Sequence, residues 1–209
     1  MNYNTIVNNP KERRKSFEYY VYWNDAFTNY ELDNFENICD EYDRERAVVV
    51  GEKNKEDCEK VRKSEICFIS KNDKTSWIFD RFNQVITNIN NQFYGFDLNG
   101  YDAFQYTVYD SSIKGKYDWH MDTIMGSMPD NSFDEIRKLT LVMLLKEPIK
   151  DFFGGEFELN LSSEEDSFSP EMHRGTIIVF PSFLLHRVKP VYLGVRKSVV
   201  IWVEGPKFR

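Results

Sequence analysis

Two histidines and one aspartate set the strongest constraint on how this chain can fold. His120 and Asp122 lie in Tyr117-Asp118-Trp119-His120-Met121-Asp122, and His186 lies far downstream in Leu185-His186-Arg187-Val188. In an extended segment, residues two apart project to the same face, so His120 and Asp122 point one way. Neutral imidazole nitrogen and carboxylate oxygen together suit a divalent ion such as iron(II), held on one face with three positions left open. For His186 to complete that set it must arrive from another strand, which a jelly roll can provide. His-x-Asp alone is common; a distant histidine, with strand-like sequence at both places, makes the pattern more specific.

The chain has three histidines. The third, His173, precedes the Gly175 turn and reads as an exposed loop residue, although it could replace one ligand in an alternative metal site.

The surrounding pattern agrees with a jelly roll. From about residue 100 short strands follow one another, separated by turn signals: Asp102 to Tyr109, Leu139 to Leu145, Phe157 to Leu161, Thr176 to Phe180, His186 to Val188 and Lys197 to Val203. Gly154-Gly155 reads as a turn into the third of these, and Pro181 as the end of the fourth. Before residue 100, two stripes have helical period. Thr28-Asn29-Tyr30-Glu31 is a capping box, and Leu32, Phe35, Ile38, Cys39 and Tyr42 follow it, predicting a helix over about 29–42. A second helix is predicted from near Ser76, with Ile78, Phe82, Val85, Ile86, Ile89 and Phe93 on its apolar face and Gly95 after its end. Ile66 to Ile69 predicts a short strand, and residues 44–60 a surface loop or short frayed helix. The expected architecture is α+β, mainly β: a cupin-like jelly roll carrying an N-terminal helical layer.

Composition bounds the function. The length of 209 residues suits one domain with a sizeable core. Residues 1–15 are expected to be loosely ordered and 16–209 to form the domain, with its signature over about 100–203. A net charge of −7 argues against nucleic acid as the main partner, because a phosphate backbone demands a basic face. The basic run Lys11-Glu12-Arg13-Arg14-Lys15 reads as a solvated terminal segment. No apolar run is long enough to span a membrane, and no apolar signal-peptide core begins the chain. Cys39, Cys58 and Cys67 are odd in number and lack paired metal spacing, so free thiols in a reducing, cytoplasmic setting are expected.

Arg196 follows His186 by ten residues, with Gly194 between as a turn residue. If 184–189 and 196–203 are neighbouring strands, its planar fork points into the barrel near the metal, where it suits a carboxylate better than a lysine would. Ser198 shares its face and can add a hydroxyl.

At these residues the chain resembles the prolyl 4-hydroxylase-like members of the 2-oxoglutarate- and Fe(II)-dependent oxygenases, including bacterial PKHD-type hydroxylases. The likeness runs from about Val61 to Val203. It is most specific in Gly154-Gly155-Glu156-Phe157, Gly175 to Ser182, Leu185 to Val191 and Gly194 to Ser198, with Trp202 in the last strand. The resemblance implies a double-stranded β-helix, iron held by His120, Asp122 and His186, and the distal carboxylate of 2-oxoglutarate on Arg196. It also implies a tyrosine on the cosubstrate, for which the spacing in Gln105-Tyr106-Thr107-Val108-Tyr109 favours Tyr109. The implied reaction consumes dioxygen and 2-oxoglutarate, releases succinate and carbon dioxide, and hydroxylates an aliphatic carbon of a protein, peptide or small-molecule substrate, such as a proline side chain. L-ascorbate is implied by the likeness only. Collagen-type prolyl hydroxylases have lysine where Arg196 stands, which shifts the likeness toward the bacterial branch. The alternative reading is a cupin-like metal-binding module without turnover. Met125–Phe133 and Ser162–Pro170 are candidate lids, the second acidic and read as a solvated loop with attraction of a basic peptide as the alternative, and Trp119 either lines the pocket or fills the core.

Overall fold

The computed structural model describes residues 18–48, 55–123, 135–161 and 167–207. The basic run, the first lid candidate and the acidic part of the second lie outside them.

Thr28 opens the first helix, α1 (Asn29–Asp40), as its N-cap. Its hydroxyl accepts from the Glu31 amide, and the Glu31 carboxylate accepts from the Thr28 amide at 2.7 Å. Two amides that the helix cannot satisfy internally thereby find partners. Residues 55–61 form a short helix, α2 (Lys55–Val61), and α3 (Ser76–Ile89) follows. The α3 chain widens into one π-helical turn, Asn90–Tyr94, and stops at Gly95 with φ +65.

The strands form two sheets. We number them in chain order: β1 (Val21–Trp23), β2 (Glu45–Arg46), β3 (Arg62–Lys63), β4 (Glu65–Ser70), β5 (Ala103–Asp110), β6 (Lys116–His120), β7 (Glu135–Leu144), β8 (Phe152–Gly154), β9 (Phe157–Asn160), β10 (Ser167–Phe168), β11 (Ile177–Pro181), β12 (Leu185–Val188) and β13 (Val191–Pro206). The larger sheet runs β1-β11-β7-β13-β5-β4-β2, with β8 also on β13; the smaller runs β10-β9-β12-β6-β3. Every pairing between named strands is antiparallel. This mainly β arrangement is the expected double-stranded β-helix with helices outside it.

The period-two pattern of the larger sheet separates two cores. Leu139, Leu141 and Met143 of β7 join Phe104, Tyr106, Ile177, Val179, Val199 and Ile201 beneath the helices. Val142 and Leu144 turn the other way, with Tyr109, Ile178 and Phe180, into the space between the sheets. A register slip of one residue would exchange the two sets. The helix-side core is aromatic: Phe35 is fully buried, with ring centroids of Phe104, Phe27, Phe82 and Trp77 at 5.4 to 6.2 Å. Removing such a ring costs about 3–5 kcal/mol.

Ions fasten α1 to the barrel as well. Asp33, Glu36 and Asp40 share one helix face. Lys197 Nζ lies 2.8 Å from Glu36 and 2.6 Å from Asp40, Lys146 lies 2.7 Å from Glu36, and Arg174 reaches Asp33 at 2.6 Å.

Two expectations need correction. Gly194 does not separate strands; β13 runs through it at φ +73. A side chain there would collide with the Asp151 carbonyl, so glycine lets β13 bend where its pairing passes from β8 to β5 and β7. Nor are the strands of His186 and Arg196 neighbours. β12 lies in the smaller sheet and β13 in the larger, because a barrel of this kind sends successive strands to opposite sheets. Pro181 ends its strand as expected, as the last residue of β11.

Candidate metal centre

β6 and β12 are adjacent in the smaller sheet, and their ladder places His120 directly opposite His186. Asp122 follows the end of β6. Its amide and that of Thr123 both donate to the Ser182 carbonyl, at 2.9 and 3.0 Å, tying this turn to the end of β11. One potential ligand atom from each of His120, Asp122 and His186 lies within 4.8 Å of the others. His120 Nε2 is 3.7 Å from Asp122 Oδ1, and His186 Nε2 is 3.4 Å from Oδ2.

Both rings are held in the same way. Nδ1 of His120 lies 2.8 Å from the Asp118 carbonyl, and Nδ1 of His186 lies 2.8 Å from that of Leu184. A carbonyl only accepts, so each Nδ1 carries a proton and each ring turns Nε2 toward Asp122. Tyr117 stacks on His120 with centroids 3.5 Å apart, and Phe180 packs edge-on against His186 at 4.9 Å. Burial, helped by the neighbouring His186, lowers the His120 pKa to about 3, so the ring is neutral at ordinary pH. Burial alone would raise Asp122, but the two imidazoles and the Thr140 hydroxyl offset it and hold the carboxyl below its usual range. Two imidazole nitrogens beside a carboxylate that keeps its charge make a donor set that a divalent ion takes.

Arg196 enters the same cavity from the opposite sheet. It is 1% exposed, and its Nη1 donates to Ser198 Oγ at 2.9 Å. Its Nε and Nη2 are buried without a partner among the described residues. Tyr109 stands opposite Arg196 in the β5–β13 ladder, with the guanidinium carbon 5.2 Å from its ring centroid. A buried guanidinium with two unused donors is costly unless an anion completes it, and a carboxylate fits that fork. The structure thus brings all six expected site residues to one cavity: His120, Asp122, His186, Tyr109, Arg196 and Ser198.

Other wall residues had not been assigned a site role. Tyr117, Arg62, Gln105 and Trp202 line the cavity. Trp202 was legible, since an even spacing of six from Arg196 puts it on the same face. Arg62, on a strand of two residues within a charged stretch, gave no such signal. Its guanidinium lies 4.4 Å from the Tyr117 centroid. Trp119 neither lines the cavity nor fills the core; it lies beneath Arg187 at 4.3 Å. His173 is on the surface between Glu147 and Glu171, away from this cavity.

Fold and site together define a jelly roll of the two-histidine, one-carboxylate metal type. Residues 104–204 match the sequence model of the 2OG-Fe(II) oxygenase superfamily, and that part of the chain carries the family's pattern. A PKHD-type hydroxylase of Colwellia psychrerythraea is 33% identical over 100 residues, which cover 48% of this chain and 42% of that protein. The chain therefore spans less than half the length of the curated relatives it matches first. Solved structures share the fold over most of the chain. A Pseudomonas putida prolyl-4-hydroxylase superposes with TM-score 0.69 at 19% identity, covering 90% of this chain and 93% of its own. A Trichoplax adhaerens prolyl hydroxylase, in complex with a hypoxia inducible factor oxygen degradation domain peptide fragment, gives 0.68 at 16%, covering 88% and 83%. The resemblance to prolyl 4-hydroxylase-like and PKHD-type oxygenases thus holds in sequence and in fold.

Proposed function

We propose that the chain is an Fe(II)- and 2-oxoglutarate-dependent dioxygenase that hydroxylates an aliphatic carbon of a protein or peptide side chain, with proline the leading candidate. His120, Asp122 and His186 hold the ferrous ion, Arg196 takes the distal carboxylate of 2-oxoglutarate, and Tyr109 and Ser198 line that end. The observation that carries the reading is the pairing of the two-histidine, one-carboxylate triad with the half-satisfied guanidinium of Arg196 across one cavity. When bound there, iron, 2-oxoglutarate and dioxygen supply the oxidation that yields succinate, carbon dioxide and a hydroxylated carbon.

The chain's own residues do the rest. Ser198 fixes one edge of the guanidinium so that the other donors face a ligand. Tyr117 and the two phenylalanines beside His186 hold both imidazoles and shield them from water. The rings of Tyr117 and Trp202 with the Arg62 guanidinium give the cavity aromatic and cationic walls, which suit an apolar ring flanked by peptide carbonyls. The peptide held by the Trichoplax adhaerens protein supports a peptide substrate. The buried free thiols fit a reducing, cytoplasmic setting. A need for L-ascorbate rests on family likeness alone and is read out by adding it to the assay.

The test is anaerobic titration of iron-loaded protein with 2-oxoglutarate, followed by the visible absorption of the chelate. The band should saturate in the wild type, vanish in His120→Ala and weaken in Arg196→Ala. No band in iron-replete protein would leave a metal-binding module without turnover. Proline-containing peptides are then screened by mass spectrometry for the gain of one oxygen atom.

A further inference from the structure

Asp122 is gripped by a buried chain of hydroxyls. Thr140 Oγ1 lies 2.7 Å from Asp122 Oδ2 and 2.9 Å from Ser182 Oγ. Thr140 and Ser182 are both fully buried, and Asp122 is 7% exposed. The direction of the protons follows from valence. An ionised carboxylate only accepts, so the single hydroxyl proton of Thr140 goes to Oδ2, and Ser182 must donate its own proton to Thr140. Ser182 therefore holds Asp122 twice, at the backbone through its carbonyl and at the carboxylate through Thr140. The three residues come from three places in the chain: the turn after β6, the middle of β7 and the residue after β11.

We infer that Thr140, seconded by Ser182, is a positioning residue of the metal centre, setting the rotation of the Asp122 carboxylate so that it faces Nε2 of both histidines. This rests on the proposed reading of the triad as an iron site. Without the Thr140 proton the carboxylate is free to turn about Cβ–Cγ, and one oxygen is left buried beside a methyl group. The loss falls on metal affinity before it reaches chemistry, as is typical of groups that orient a ligand.

Cobalt(II) binding to the full chain tests this without turnover. Affinity is read by calorimetry and coordination by the visible spectrum. Thr140→Val should weaken binding by about 10-fold or more and alter the spectrum. Thr140→Ser, which returns the hydroxyl without the methyl, should restore both, and Ser182→Ala should weaken binding to a smaller degree. Far-ultraviolet circular dichroism of the metal-free proteins establishes that each variant is folded. Thr140→Val binding with wild-type affinity and spectrum overturns the inference. If Thr140→Val does not fold, unchanged affinity in Ser182→Ala overturns it. Wild type that binds no cobalt, or His186→Ala that binds as tightly as wild type, overturns the iron-site reading itself.

Discussion

Gly155 lies against the stem of Arg196: a Cβ at position 155 would come within 2.9 Å of Arg196 Cδ and 2.8 Å of Val191 Cγ2. The glycine also has φ +67, where a side chain is strained. The Gly-Gly pair before β9 is therefore a seat for the cavity's guanidinium as well as a turn.

Gly155→Ala should displace Arg196 and strain the backbone together. The expected result is a stability loss of about 1 kcal/mol or more and a raised dissociation constant for 2-oxoglutarate, with metal affinity unchanged. Denaturant unfolding and the anaerobic titration measure the two effects. Unchanged cosubstrate affinity would show that the Arg196 side chain adjusts freely.

Lys197 is the neighbour of Arg196 on the opposite face of β13, held by Glu36 and Asp40. Lys197→Met should destabilise the protein by about 2 kcal/mol, less than the ~3–5 kcal/mol of a fully orphaned buried charge. The reason is that Lys146 still faces Glu36 at 2.7 Å. Urea unfolding checks the magnitude, and a change under 0.5 kcal/mol, the scatter of ordinary surface substitutions, would place the pair among surface contacts.

The exposed pair of His173 and Glu147 gives a pH signature. Glu147, with Glu171 adding to it, raises the His173 pKa above its usual 6.5. A raised histidine binds its proton more tightly in the folded state. Its contribution is thus complete below pH 6.5 and is lost as pH rises through the raised value. Nuclear magnetic resonance titration should find the His173 midpoint above 6.5, and Glu147→Gln should bring it down. The metal-free His120 ring should remain neutral through the same range.

Cys39 and Cys67 are buried thiols. Burial raises Cys39 well above its ordinary pKa and Cys67 to about 11. Neither offers a thiolate near neutral pH, so iodoacetamide should label them only as the native structure opens. Peptide mapping after timed labelling, with and without urea, measures this. Rapid labelling of Cys39 in the native protein would contradict its burial.

What was legible in the sequence was local. The capping box at Thr28 and the His120–Asp122 pair depend on residues two or three apart, and period two or 3.6 shows them directly. Arg196, Ser198 and Trp202 shared a face for the same reason. What was not legible depends on which strands meet. The cavity was expected to lie between adjacent strands because His186 and Arg196 are close in sequence, whereas the fold sets them on facing sheets. Thr140 is one hydroxyl in an apolar run, and nothing near it in sequence points to Asp122. The acidic face of α1 has helical spacing, yet its partners Lys146, Arg174 and Lys197 lie more than a hundred residues away.

The opposition of β12 and β13 has a consequence for size selection. The histidine pair belongs to one sheet and the guanidinium to the other, so the gap between the sheets acts as a caliper. A molecule that chelates at one jaw and bears a carboxylate for the other must have one length. Phe157, Phe180 and Val142 pack between the sheets, so under the proposed function their bulk would gauge which keto acids fit.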